Sequence, residues 1–136
     1  MSRAMLNAIP KVQRAFVLPA LGKSLKFRTD FPVVAPADLL PGQCLVKLSH
    51  SGVCHSDFAI KEGWFAPDIP VKPNLVGGHE GIGKVVAIGE HTKNSPVKIG
   101  DRVGINFLID SCRNCEHCLS GEESCACTRL KISETC

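Results

Sequence analysis

The sequence has little of several features that would assign a class directly. It has no tyrosine and one tryptophan, and aromatic residues make up only 5% of the chain. No apolar stretch approaches the roughly 18 residues that a transmembrane helix needs, so we expect no membrane partner. The net charge is only +3, with both signs scattered along the chain. That bias is too weak to favour nucleic acid as a partner. These absences predict a globular protein.

The start of the chain has no acidic residue before Asp30, although six Lys or Arg residues precede it. A basic start can be a transit peptide, but Pro10 and Pro19 interrupt any amphipathic helix there. We therefore favour an ordinary N-terminal extension over residues 1–11. The sequence shows no apolar core of the signal-peptide type. We expect a cytoplasmic protein, in which the eight cysteines stay reduced.

Short apolar runs bounded by turn residues dominate the chain, which has 12 glycines and nine prolines. Only one helix is predicted, with Ser56 or Asp57 as its N-cap and Gly63 as its end. Such a pattern predicts a mainly β, α+β fold of the sandwich or barrel type. The runs predict strands at 15–18, 43–52, 82–89 and 101–109.

The stretch CRNCEHC places Cys112, Cys115 and Cys118 at equal steps, and two more cysteines follow. Two intervening residues let a pair of cysteines turn back on one ion, and tetrahedral zinc binds thiolates well. Because the segment is polar and rich in turn residues, it cannot form a core and needs a cross-link to be ordered. We favour a structural zinc lobe over residues 108–127.

Two alternatives for these cysteines stay open: a disulfide staple and a redox-active pair. A redox pair usually follows a strand and opens a helix, and three equal steps do not fit that pattern well. His117 lies inside the lobe, but thiols outnumber it, so we do not favour it as a ligand.

A second group of candidate ligands lies in GVCHSD and GGHEG. Cys54 and His79 come from different loops, and each has a carboxylate close by, Asp57 and Glu80. Such a set matches a catalytic zinc site with one open position, in which the carboxylates orient the imidazole. Alone the signal is weak, because a single cysteine is usually a small buried apolar residue.

Four segments, GVCHSD, VGGHEGIGKVVAIGE, KIGDRVGI and CRNCEHCLSGEESC, together resemble the N-terminal catalytic domain of the zinc-dependent medium-chain alcohol dehydrogenases. Their order and intervals are also similar. The resemblance covers about residues 12–127 and implies a GroES-like partial barrel. It leans toward the tetrameric ethanol-type enzymes, although a dimer is also possible. Residues 128–136 form a tail that does not resemble the family.

The resemblance implies roles around a catalytic zinc. Cys54 and His79 would bind the zinc, and Glu80 would lie beside it. Asp57 would hold His79 in one tautomer. In the lobe, three of the family's ligands match the cysteines of CRNCEHC, but the fourth falls on Ala126.

The neighbouring cysteines, Cys125 and Cys127, lie one position early and one position late for that fourth lobe ligand. We favour Cys125, because its loop is almost as long as the family's.

The reaction implied by the resemblance is hydride transfer from a small alcohol to NAD, which yields an aldehyde or a ketone. Ser56 would contact the alcohol and start a proton relay. His55 would lie near the cofactor pyrophosphate. Trp64 matches a pocket-lining tryptophan only loosely.

Parts of the family's pattern are not found. No nucleotide-binding fingerprint follows a strand, since GGHEGIG has the wrong spacing. No third catalytic ligand is found either, and Cys136 would be a makeshift substitute. We expect a truncated catalytic domain without a nucleotide-binding domain, with exposed strand edges and no activity alone.

Two other readings remain. The chain could be a non-enzymatic zinc-binding module that associates with full-length subunits. A zinc-free quinone reductase relative is disfavoured by the Cys54 and His79 pair.

Overall fold

The computed structural model describes residues 9–65, 71–121 and 131–132. Over these residues the strands are β1 Val12–Leu18, β2 Lys26–Pro32, β3 Cys44–Ser51, β4 Leu75–Val76, β5 Gly81–Ile88, β6 Arg102–Ile105, β7 Leu108–Asp110 and β8 Lys131–Ile132. The helices are α1 His55–Glu62, α2 Glu116–Leu119 and a short 3-10 helix, Pro36–Asp38. Within these ranges, no helix has the length and apolar character to cross a bilayer.

The strands form three small antiparallel sheets, with the orders β2-β1-β4, β3-β5-β6 and β7-β8. These strands do not close into a barrel. The predicted class, mainly β with short helices, is confirmed.

The pairing of β3 with β5 brings two distant loops together. Its register runs from Cys44 opposite Ile88 to Ser51 opposite Gly81. The loop that follows β3 therefore emerges beside the loop that precedes β5. Those two loops carry GVCHSD and GGHEG, so the sheet itself brings the two motifs side by side.

Side chains along β5 alternate between a buried face and an exposed face. Residues at every second position, including Val85 and Ala87, are buried, whereas Ile82 and Lys84 point outward and are exposed. This is the period of two that a strand with one covered face shows. A separate buried cluster, Ala15, Val17 and Val76, joins β1 to β4.

Several large apolar side chains stay exposed among the described residues. Phe16 and Phe27 are more than half exposed and stack on each other with ring centroids 5.1 Å apart. Val53 and Leu119 are exposed by 85% and 75%. The described part of the chain thus presents much apolar surface to its surroundings.

Several sequence-based assignments were wrong or incomplete. The single strand predicted over 101–109 is divided into β6 and β7, because the Asn106 side chain accepts a hydrogen bond from the Phe107 N–H and interrupts the strand. Strand β2 was not predicted, since its phenylalanines are four residues apart and do not alternate. The four-residue helix α2 was also missed, because it is too short to show a helical period.

The N-cap of α1 is Cys54, not Ser56 or Asp57. The Cys54 sulfur accepts a hydrogen bond from the Ser56 N–H at 3.3 Å, and Asp57 accepts one from the Cys54 N–H at 2.8 Å. This reciprocal arrangement is a capping box in which a thiol replaces the usual hydroxyl. Cysteine is not among the preferred capping residues, so the sequence pattern pointed to its neighbours. Gly63 ends the helix as predicted.

We predict that Gly63→Ala lowers the free energy of unfolding by about 1–2 kcal/mol. Gly63 has φ 76°, a left-handed conformation that disfavours a side chain. Space is not the cause, since an added Cβ would meet Leu21 at an ordinary 3.5 Å. Urea denaturation measures the loss. Gly104→Ala is the control, because Gly104 lacks a positive φ and has 4.0 Å of clearance. Equal losses in both variants would contradict the explanation.

Candidate metal sites

Cys54, Asp57 and His79 meet in one cluster, with their ligand atoms all within 4.8 Å of one another. The Cys54 sulfur lies 3.1 Å from Nε2 of His79. His79 is buried, with 7% of its surface exposed. Phe107 packs edge-on against its ring, with centroids 4.9 Å apart. A thiol and an imidazole thus converge in a shielded position.

Asp57 connects both ligand-type residues. One carboxylate oxygen accepts the Cys54 backbone N–H at 2.8 Å, and the other lies 3.4 Å from Nδ1 of His79. A carboxylate at Nδ1 favours a proton on that nitrogen, which leaves Nε2 free to bind a metal. The same side chain therefore fixes the start of α1 and the orientation of the ring.

The second cluster is formed by Cys112, Cys115 and Cys118. The Cys118 sulfur lies 3.7 Å from that of Cys112 and 3.5 Å from that of Cys115. The Cys115 N–H donates to the Cys112 sulfur at 3.3 Å, across a turn in which Arg113 has φ 55°. Helix α2 begins directly after Cys115 and carries Cys118 back toward the turn.

The thiols of this second cluster raise the pKa of Cys115. A backbone hydrogen bond from Cys118 lowers that pKa, but the hydrogen bonds with the Cys112 and Cys118 thiols, together with desolvation and the nearby Cys112 charge, outweigh it. The resulting pKa is about 11. Crowding thus disfavours a thiolate at Cys115 in the absence of a cation.

The residues of both clusters fit zinc. In a tetrahedral site with Zn–S bonds of about 2.3 Å, two sulfurs lie about 3.8 Å apart, close to the 3.5–3.7 Å observed. For sulfur and imidazole nitrogen the separation is about 3.6 Å, so Cys54 and His79, now at 3.1 Å, would move slightly apart around an ion.

The alternative of a disulfide staple finds no support among the described cysteines. No disulfide joins any two of them, Cys44 on the surface included.

The other predicted site residues lie around the first cluster. Ser56 is half-buried and donates its N–H to the Cys54 sulfur. His55 is exposed and contacts the rings of Phe58 and Trp64, at 6.3 and 5.5 Å between centroids. These placements put an imidazole on the outer side of the helix start.

Glu80 is exposed and is not a member of the first cluster; its side chain lies against Gly52. His117 is not part of the thiol cluster. Cys125, Cys127 and Cys136 lie outside the described residues, so the predictions for them stay predictions.

Sequence reasoning missed Phe107 as a neighbour of His79. Phe107 lay within a segment predicted as one continuous strand, and no spacing rule links it to GGHEG. The cap formed by Cys54 was also missed, because cysteine is not among the preferred capping residues.

An open, mainly β fold thus carries two separate groups of potential metal ligands. A profile of the alcohol dehydrogenase GroES-like domain matches residues 40–133. The chain belongs to the zinc-dependent medium-chain alcohol dehydrogenases, which confirms the resemblance drawn from the four segments.

The relatives match the chain over most of its length. Alcohol dehydrogenase 2 of Emericella nidulans is 40% identical over 92% of this chain and 33% of its own length. An alcohol dehydrogenase of Schizosaccharomyces pombe is 38% identical over 92% of this chain and 34% of its own. A solved NAD-dependent alcohol dehydrogenase aligns with TM-score 0.69 and 33% identity, covering 90% of this chain and 33% of that one. The chain thus spans about a third of the length of these proteins.

We predict that zinc binding to the thiol cluster releases protons and weakens as the pH falls. With its pKa near 11, Cys115 is protonated at neutral pH, and an incoming metal must displace that proton. Calorimetry at pH 7.5 in buffers of different ionisation enthalpy counts the protons released. The variant Cys115→Ser, which has one thiol fewer, should release fewer. A zinc affinity that stays unchanged between about pH 5.5 and about pH 8 would contradict thiolate ligation.

Proposed function

We propose that this chain supplies the metal-binding catalytic portion of an NAD-dependent, zinc-dependent alcohol dehydrogenase. The reaction would oxidise a primary or secondary alcohol to an aldehyde or ketone. The observation that carries the proposal is the convergence of Cys54, Asp57 and His79 in one cluster, in which His79 is buried and the other two are half-buried. The relatives named alcohol dehydrogenases and the solved NAD-dependent enzyme support the choice of substrate and cofactor.

Cys54 and His79 would hold the catalytic zinc, and Cys112, Cys115 and Cys118 would hold a structural zinc with Cys125 as fourth ligand. Bound at the first cluster, zinc supplies a Lewis acid for the alcohol oxygen. This division follows the different donor sets of the two clusters, since structural sites favour four thiolates and catalytic sites mix ligand types.

The chain's own residues would orient the reactants and move the proton. The Asp57 carboxylate, 3.4 Å from Nδ1 of His79, would favour a proton on that nitrogen and leave Nε2 for the metal. The hydroxyl of Ser56, two residues after the N-cap Cys54, would take the alcohol proton and pass it outward. His55, exposed beside Trp64, lies on the side from which a cofactor phosphate would approach.

In domain terms, we propose that residues 12–127 form a GroES-like catalytic unit with a zinc lobe at 108–127. Residues 1–11 would be an extension and residues 128–136 a tail, from which Lys131–Ile132 pairs with Leu108–Asp110 of the unit. The described strands are all antiparallel, whereas a dinucleotide site of the Rossmann type is built on a parallel sheet. We therefore propose that the 136 residues alone do not complete hydride transfer.

We predict that the purified chain binds zinc at the lobe tightly and at the Cys54–His79 pair more weakly. Three thiolates form a stronger set of soft ligands than one thiolate and one imidazole. Elemental analysis after dialysis measures the zinc retained. Cys115→Ser should remove the tight zinc and Cys54→Ser the weak one. Cys44→Ser is the matched control, because Cys44 is exposed and lies outside both clusters. A folded chain that takes up no zinc would refute the proposal.

We also predict that the zinc-loaded chain shows no ethanol-dependent NADH formation above a metal-free blank. The reason is that a nicotinamide must be held against the alcohol for hydride transfer. Absorbance at the NADH band measures the rate, with a complete alcohol dehydrogenase as positive control. Turnover that depends on Cys54 would show that these residues suffice for catalysis.

A further inference from the structure

We propose that Gly52 is a positioning residue for the Cys54–His79 pair and that it acts through Glu80. The inference rests on the proposed function, since it assumes that this pair binds a metal. Gly52 lies two residues before Cys54, and Glu80 directly follows His79. A contact between them joins the two ligand-bearing loops close to both ligands.

The contact has a backbone part and a side-chain part. The Gly52 N–H donates to the Glu80 carbonyl oxygen at 2.9 Å, which extends the β3–β5 pairing by one step beyond Ser51 and Gly81. The Glu80 side chain lies across the bare Cα of Gly52. A Cβ added at position 52 would lie 3.1 Å from the Glu80 Cβ and 3.3 Å from its Cδ, and would collide with the carboxylate oxygen Oε2.

Conformation is not the reason for glycine at this position, since Gly52 has no positive φ. The reason is space. The three nearest atoms to an added Cβ all belong to the Glu80 side chain. Rotation of the exposed carboxylate can relieve the contact with Oε2, but the contacts with Cβ and Cδ require the Glu80 side chain to shift by a few tenths of an ångström at its base. Since Glu80 directly follows His79, that shift falls on the residue next to the ligand.

Glu80 works from outside the ligand cluster. It is exposed and lines a groove of about 390 Å³ together with His50, Ser51 and Gly52. Cys54 follows Gly52 by two residues, and His79 directly precedes Glu80. The Cys54 sulfur and Nε2 of His79 lie 3.1 Å apart. Metal ligands must be held within about 0.5 Å of their binding geometry. The contact between Gly52 and Glu80, which joins the two loops, should therefore affect the affinity for zinc.

The test measures zinc binding at His79 alone. In the full chain with ¹⁵N-labelled histidine, the Nε2 resonance of His79 is followed by NMR while free zinc is set by a chelator buffer. This signal is independent of zinc bound at the lobe thiols. We expect Gly52→Ala to weaken zinc binding at His79 by about 10- to 100-fold, the range found for residues that support ligands.

Gly77→Ala is the matched control. Gly77 lies two residues before His79, has no positive φ, and has no atom within 4 Å of an added Cβ. It tests the effect of losing a loop glycine without displacing Glu80. Equal zinc affinities of the two variants would overturn the proposal.

The variant Glu80→Ala tests whether Gly52 acts through the Glu80 side chain. Alone it should weaken zinc binding by a similar factor, and Gly52→Ala should add little in that background. An undiminished effect of Gly52→Ala without the Glu80 carboxylate would show that Gly52 acts by another route. Should Gly52→Ala fail to fold, Glu80→Ala decides, because unchanged affinity there also overturns the proposal. If His79 in the unaltered chain does not respond to zinc, the proposed function itself fails and this inference with it.

Discussion

The antiparallel pairing of β3 with β5 is the constraint on which the candidate catalytic site depends. Cys54 and His79 are 25 residues apart in sequence, so they come together only because the chain folds back on itself. The ladder from Cys44 and Ile88 to Ser51 and Gly81 delivers both loops to the same edge. A slip of one residue would turn every side chain of the strand to the other face, so the buried face of β5 fixes the site as well as the fold.

The two clusters reach their geometry in different ways. At the first, protein hydrogen bonds set the positions: Asp57 holds both the Cys54 backbone and the His79 ring, and Phe107 shields the imidazole. At the second, contacts among the thiols raise the pKa of Cys115 to about 11. Such crowding is unfavourable for anions and becomes favourable around a cation. Hydrogen bonding by Asp57 thus positions the first cluster, whereas the turn at Arg113 and helix α2 bring the thiols of the second together.

The cap of α1 shows how closely local structure and chemistry are joined here. The sulfur proposed as a zinc ligand also accepts the Ser56 N–H, and the carboxylate that closes the capping box also faces His79. Helix start and ligand set therefore share atoms. We therefore expect a change that weakens the cap to disturb the ligand set as well.

The sequence by itself determined the class and the pieces of the sites. A short apolar run predicted β5 and its flanking turn residues predicted its bounds, since both are local signals. Equal steps in CRNCEHC predicted the thiol cluster, because short spacing forces nearness. Tertiary structure alone decided what depends on strand pairing: that Phe107 packs on His79 and that the Glu80 side chain lies on Gly52. Contacts between distant segments follow from register and three-dimensional packing, which no single stretch of sequence encodes.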